Sequence, residues 1–379
     1  MPEAPDAALP LDATPAVPDP WSLPRGVVVL LGTAGAFITA AGLRAFGGIA
    51  GPIFLALVLT IAVSPLRRLL IRRGARKWVA GLVALLVVNA LLLGLAAALA
   101  YSVARLATLL PSYQSTFGQL VGDVRGWLSE LGIGNQEIQR ALQALDLGKA
   151  LNLLQSWLTG LLGVFSDLGF IVVLLFFMGL DANGFTERLT DAAKVRPGIT
   201  TALAGFARGT TRYLVVSTVF GLIVALVDVA VLYLLDIPLP WLWGLLAFIT
   251  NYIPNIGFFI GVVPPALLGL LAEGWSTLVW VVVAYCVINF VFQSIIQPKI
   301  VGDAVGLSTT LTFLSLVFWG WVLGPLGAIL AIPLSLLAKA LLLDADPSTR
   351  WVSGLISGAP TPAHEEESEP APEPEPESD

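Results

Sequence analysis

Eight stretches of nearly uninterrupted Leu, Val, Ala and Ile divide this chain, at about 27–43, 47–64, 78–104, 160–180, 213–235, 241–271, 275–296 and 307–343. An apolar helix of about 20 residues crosses the roughly 30 Å hydrocarbon core of a bilayer. Lipid offers no hydrogen bonds, so only helices and closed barrels span it. The runs predict an all-α, polytopic integral membrane protein with about eight hydrophobic segments. Composition agrees, since 56 % of the residues are hydrophobic and only 12 % are charged.

The formal net charge of −6 belongs to the ends of the chain. Residues 1–24 and 344–379 hold 14 of the 26 acids and one of the 20 bases, so the body between them has 12 acids and 19 bases. Both ends, 1–25 and 344–379, are acidic and Pro-rich and read as disordered. The N-terminus has no basic region of the kind that opens a signal peptide. The segment "RRLLIRRGARK" at 67–77 has six bases in eleven residues, and Arg188, Lys194, Arg196, Arg208 and Arg212 follow the fourth run. Positive charge marks cytoplasmic connections. With 67–77 inside, both termini are expected in the cytoplasm. Residues 26–104 then form three transmembrane helices with that basic loop, and 105–159 becomes an exterior segment. In it Leu110, Tyr113, Phe117, Leu120, Val121, Val124, Trp127, Leu128 and Leu131 recur at helical spacing, giving one apolar face. Residues 160–343 are expected to form the second, larger transmembrane region. Trp78, Trp241, Trp243 and Trp275 lie near run ends, as interfacial anchors do.

Two runs are too long and too broken to be single spans. A continuous helix over 241–271 would extend about 45 Å. It is interrupted by "NYIPNIGFFIGVVPP", in which Pro254, Pro264 and Pro265 remove backbone donors and Gly257 and Gly261 loosen the chain. Freed carbonyls are tolerated at membrane depth only where protein or water covers them. A re-entrant hairpin or discontinuous helix lining a cavity is therefore expected. The run 307–343 repeats the style, with Gly324, Pro325 and Gly327 at its middle and Pro333 beyond. Each broken segment follows a single run, 213–235 or 275–296, so the two form a weak internal repeat. Paired broken helices of this kind point to a transporter binding site.

Polar residues at depth supply the rest of the candidate site. Asp228 lies inside a run, where a charge costs about 2.5–3.5 kcal/mol, and is the ion-coupling candidate. Asn251, Asn255, Asn289, Gln293 and Gln297 offer donors and acceptors without charge. Asn289, Gln293 and Gln297 also fit interhelical hydrogen bonding, being four residues apart. The substrate-binding set is Asn251, Pro254, Asn255, Gly257, Gly261, Asn289, Gln293, Gln297, Gly324, Pro325 and Gly327. An enzyme is not expected. The single His364 is in the acidic tail, Cys286 is the one cysteine, and "VGD" at 301–303 is half of an intramembrane aspartyl-protease pair without its partner. No P-loop, cofactor motif or metal-ligand cluster is present in the sequence, and no nucleic-acid partner is expected.

Three blocks in order, "GPIFLALVLTIAVSPLRRLLIRRG", "LWGLLAFITNYIPNIGFFIGVVPPALL" and "QPKIVGDAVGLSTTLTFLSLVFWGWVLGPLGAILAIPL", resemble the AI-2E family of bacterial membrane transporters across residues 26–343. The last block matches at Gly324, Gly327, Ile329, Ile332 and Pro333. The resemblance implies a homo-oligomer, with a pentamer as its expected form, in the bacterial inner membrane. It also implies that a substrate-carrying portion moves against a static one. Named family members include exporters of the signal autoinducer-2, and some relatives are described as sodium/proton antiporters. The leading expectation is a secondary transporter that exports a small polar, autoinducer-2-like solute. The alternatives are a sodium/proton antiporter and a non-transporting membrane scaffold.

Overall fold

The structure is a computed structural model that describes residues 24–130, 156, 160, 163, 167–254, 256–296, 307–346 and 349. Asn255, Gln297, the "VGD" segment, most of 131–166 and the bulk of both acidic ends lie outside the described residues. Twelve α-helices and no strand occur among those described. They are α1 Arg25–Ala45, α2 Gly47–Ala62, α3 Ser64–Arg72, α4 Lys77–Leu109, α5 Gln114–Glu130, α6 Leu168–Val195, α7 Pro197–Leu234, α8 Pro240–Thr250, α9 Gly257–Glu273, α10 Trp275–Asn289, α11 Thr309–Ile329 and α12 Ala331–Lys339. A π-helical segment, Phe290–Ile296, extends α10, and a second one, Ala340–Asp344, extends α12.

Six helical stretches are long and apolar enough to cross a bilayer, or seven if the bent α6 counts as one span. The difference from eight lies in two runs, the bent α6 and the run 241–271. The latter divides into α8 and α9, of 11 and 17 residues, which rise about 16 and 25 Å. A third break, not expected from the sequence, bends α6 by 65° between Leu168–Ala182 and Glu187–Val195. The apolar run stops at Leu180, but the polar residues after it stay helical instead of forming a loop. The basic linker before the fifth run is likewise helical, because α7 begins at Pro197 with Pro at its first turn.

Three clusters of buried side chains knit the helices. One joins α4, α7, α8, α9 and α10 through Leu99, Leu232, Leu242, Trp243, Ala266 and Val281. A second joins α1, α2, α4, α6, α11 and α12 through Ala40, Ala56, Val88, Ile171, Val322 and Leu334. The third, with Phe206, Tyr213, Ile332 and Leu336, packs α12 on α7. Trp78, Trp241 and Trp275 are exposed as anchors should be, but Trp243 is fully buried. Its role is to hold the α7–α8 turn. There Asp236 and Leu239 both have positive φ, an unusual backbone for residues with a side chain. Trp243 Nε1 donates to Pro238 O at 2.9 Å across this turn. Trp243→Ala is expected to cost about 3–5 kcal/mol. Thermal unfolding of the purified protein, followed by tryptophan fluorescence, should show a fall of several degrees; an unchanged midpoint would remove this assignment.

Candidate functional site

The site is built on α7. Ser217, Gly221, Val224 and Asp228 are buried along it at spacings of three and four, so they share one face. α8 lies antiparallel on that face at very short range. A Cβ on Gly244 would overlap the Val229 side chain and lie 3.1 Å from Ala225 O, and one on Gly221 would lie 2.7 Å from Asn251 Nδ2. Glycine at both positions is what allows the approach.

The first predicted break follows directly. After α8 ends at Thr250, residues 251–256 turn and α9 returns alongside. A Cβ on Gly261 would meet Ala247 Cα at 3.7 Å and Thr250 Oγ1 at 3.4 Å, and one on Gly257 would collide with Thr250 O. Such pairings require a hairpin. Its backbone closes on itself, with Ile253 N donating to Thr250 O at 2.8 Å and Gly257 N to Ile253 O at 3.1 Å. Three further bonds tether it to α7. Asn251 Nδ2 donates to Ser217 O at 2.9 Å, Tyr213 Oη donates to Tyr252 O at 2.9 Å, and the hydroxyls of Thr218 and Tyr252 are 2.7 Å apart. Pro264 and Pro265 lie within α9, where the carbonyls of Ile260 and Gly261 thereby lose their i+4 donors.

Between this hairpin, α7 and α10 lies a cavity of about 30 Å³, lined by Asp228, Asn251, Gly257, Gly261, Asn289 and Gln293 together with Thr250 and Tyr285. That is room for a water molecule or a small ion. Asp228 is 2 % exposed and Tyr285 3 %. Asp228 Oδ1 and Tyr285 Oη have no hydrogen-bond partner among the described residues. Leaving a buried polar atom unpaired costs about 1–3 kcal/mol, more for a charged one, so the cavity presents two strong unmet demands. Gln293 Nε2 approaches Asn251 Oδ1 at 3.5 Å, the long interhelical contact that the polar spacing on α10 suggested. Gln293 belongs to the π-helical extension, a form that often occurs at functional sites.

The structure thus gathers six predicted residues with the expected Asp228 counted among them, and Pro254 lies in the turn beside them. Gly324, Pro325 and Gly327 do not line this cavity. Gly324 has φ 66° and ψ −146°, a backbone that only glycine adopts readily, and interrupts α11 there. A Cβ on Gly327 would collide with Trp319 O, so this chain also folds back on itself. Trp319 Nε1 donates to Ser335 Oγ at 3.0 Å across the fold. Leu326 and Ile329 beyond it line an apolar chamber of about 320 Å³ that Tyr252 and Thr218 reach from the other side. Sequence reasoning missed Tyr285, Gly221 and the Ser217–Thr218 anchor. Tyr285 was legible as the first member of a polar series with Asn289 and Gln293, four residues apart.

These features define an all-α chain with six, or up to seven, helical stretches long and apolar enough to cross a membrane, a tight turn between two shorter apolar helices, and a small polar cavity beside that turn. The chain belongs to the AI-2E transporter family, whose sequence model, described as "AI-2E family transporter", matches residues 27–345. It is similar to the AI-2 transport protein TqsA of Escherichia coli strain K12, with 32 % identity over 318 residues, 83 % of this chain and 90 % of that protein. The putative transport protein YhhT of the same strain is 30 % identical over 317 residues, with the same coverage. A putative transport protein of Haemophilus influenzae is 31 % identical over 333 residues, covering 84 % of this chain and 93 % of its own length. Among the described residues no group of three or more His, Cys, Asp or Glu is placed to hold a metal ion.

Proposed function

We propose that this protein exports a small polar solute of the autoinducer-2-like, sugar-like class across the bacterial inner membrane, with both termini in the cytoplasm. The observation that carries the reading is the convergence of Asn251, Gly257, Gly261, Asn289 and Gln293 from three separate elements on one cavity at a hairpin tip. Amide side chains and freed backbone carbonyls can bind hydroxyl and carbonyl groups without a net charge. The cavity holds only about 30 Å³, and a solute of that class enters when the hairpin parts from α10. The first helices and the exterior segment 105–159 form the static portion of a homo-oligomer, a pentamer. The broken segments, with Gly324, Pro325 and Gly327 at the second hinge and Asn255 and Gln297 completing the polar set, form the moving portion. The relative named as an AI-2 transport protein supports this solute class.

Asp228 favours a second role at the same cavity, coupling to a monovalent cation or proton. A buried carboxylate with an unpaired oxygen, beside an unpaired tyrosine hydroxyl and in space for one small ion, suits a cation better than a sugar. Sodium/proton antiport is the form this role takes if no organic solute moves. Proteoliposomes separate the two. Uptake is measured across a panel of small polar solutes, with and without sodium or proton gradients. Saturable solute flux driven by either gradient is expected; gradient-dependent cation exchange with no solute flux would replace export by antiport. Absence of any flux would overturn both.

A further inference from the structure

A second cavity, remote from the hairpin, sits where the basic segment meets the bend in α6. It measures about 70 Å³ and lies between the α2–α3 junction, α4 and α6. Thr60, Ser64 and Arg67 form its polar wall, at spacings of four and three. Small residues opposite them, Gly81 and Ala84 on α4 and Gly179 on α6, keep the space open.

Arg67 is incompletely used. Its Nη1 donates to Ala182 O at 3.1 Å, the last carbonyl before the α6 bend. Its Nε is buried with no hydrogen-bond partner among the described residues. A neutral carbonyl does not balance a guanidinium charge, and Arg67 appears in none of the ion pairs found among those residues. Asp181, next to Ala182, is not within ion-pair distance of it, and Glu187 beyond the bend is paired with Lys77 at 3.8 Å. A planar guanidinium with a free N–H on one edge matches an oxyanion, above all phosphate. Arg68, Arg72, Arg73 and Arg76 are exposed around the same end of the bundle. They raise the local concentration of anions, and basic pockets between membrane helices bind phospholipid head groups by this chemistry.

We propose that the Arg67 cavity binds a phosphate group, with Arg67 Nε and the Ser64 hydroxyl as donors, and that the bound anion is held against the α6 bend. Two sources carry this chemistry, an anionic phospholipid head group and soluble phosphate. The site does not depend on the transport reading and is tested without it.

The test is native mass spectrometry of the full-length protein with added phosphatidylglycerol or phosphatidylcholine, with and without inorganic phosphate. Wild type is expected to retain phosphatidylglycerol over phosphatidylcholine. Arg67→Gln is expected to lose that preference by about tenfold in affinity, while Arg76→Gln keeps it. Because Arg67→Gln also removes the bond to Ala182 O, Gly179→Leu provides an independent check. A Cβ at Gly179 meets only Leu85 Cδ1, at 3.8 Å, so the larger side chain fills the cavity and leaves the guanidinium in place. Loss of the lipid adduct in Gly179→Leu, with an unchanged melting temperature, supports the site. Displacement of the adduct by inorganic phosphate, or stabilisation of wild type but not Arg67→Gln by phosphate alone, assigns it to soluble phosphate. Equal phosphatidylglycerol retention in wild type, Arg67→Gln and Gly179→Leu, with no effect of phosphate, overturns the proposal.

Discussion

Gly257→Leu is expected to reduce transport by an order of magnitude or more, while Gly94→Leu on α4 leaves it within about twofold. Both substitutions add the same side chain to a membrane helix, so their difference isolates the site. At Gly94 an added Cβ meets nothing. At Gly257 it meets the carbonyl oxygen of Thr250, and backbone cannot step aside as the end of a side chain can. The hairpin must open by more than an ångström, which displaces Asn251 and Gly261 from the cavity they line. Over-packing of this kind typically costs about 1–3 kcal/mol, and a misplacement of about 1 Å in a binding site can cost far more in rate than in stability. The measurement is flux into proteoliposomes, normalised to reconstituted protein. Gly327→Leu, whose Cβ meets Trp319 O in the same manner, is expected to behave like Gly257→Leu if the second hinge also moves. Equal flux in Gly257→Leu and Gly94→Leu would remove the hairpin tip from the transport site.

Asp228→Asn is expected to abolish gradient coupling and, unusually for a core substitution, to leave the protein as stable or more stable. The carboxylate is 2 % exposed, is in none of the ion pairs among the described residues, and has an unpartnered Oδ1. An uncompensated buried charge is costly, so an amide of nearly the same shape relieves the fold of a burden. The expected pair of results is a melting temperature equal to or above wild type and a loss of sodium- or proton-driven flux. Tyr285→Phe should weaken coupling less, because it removes one neutral ligand and keeps the charge. If Asp228→Asn retains full gradient dependence, the cavity has no coupling ion at this carboxylate.

The break at 251–256 was legible because its cause is local. Proline cannot donate and glycine does not resist positive φ, wherever they fall, so the end of α8 and the interruption at Gly324 could be anticipated from residue type. The bend in α6 was not legible in the same way. It contains Gly184 but no proline, and the contacts around it are tertiary: α6 packs on α2 and α4, and Arg67 donates to Ala182 O where the bend begins. Trp243 shows the limit from the other side. Its place near a run end suggested an interfacial anchor, yet the positive-φ turn at Asp236–Leu239 rotates it inward onto Pro238. Gly221 and Gly244 look like ordinary glycines in apolar helices, and only the α7–α8 approach shows why no larger residue fits.

What the sequence determined by itself is the solvent, the helical class, the placement of the helix breakers and the polar residues at depth. Those follow from hydrophobic run length and backbone chemistry, which act within a few residues. The tertiary structure decided which of those residues meet. It joined Asp228, Asn251, Asn289 and Gln293, from residues up to 65 positions apart, at one small cavity, and left Gly324, Pro325 and Gly327 away from it, with their neighbour Leu326 on a different, apolar chamber. The reason is packing: helix faces choose partners by the shape and depth of small residues across the interface, and that complementarity is a property of two surfaces together.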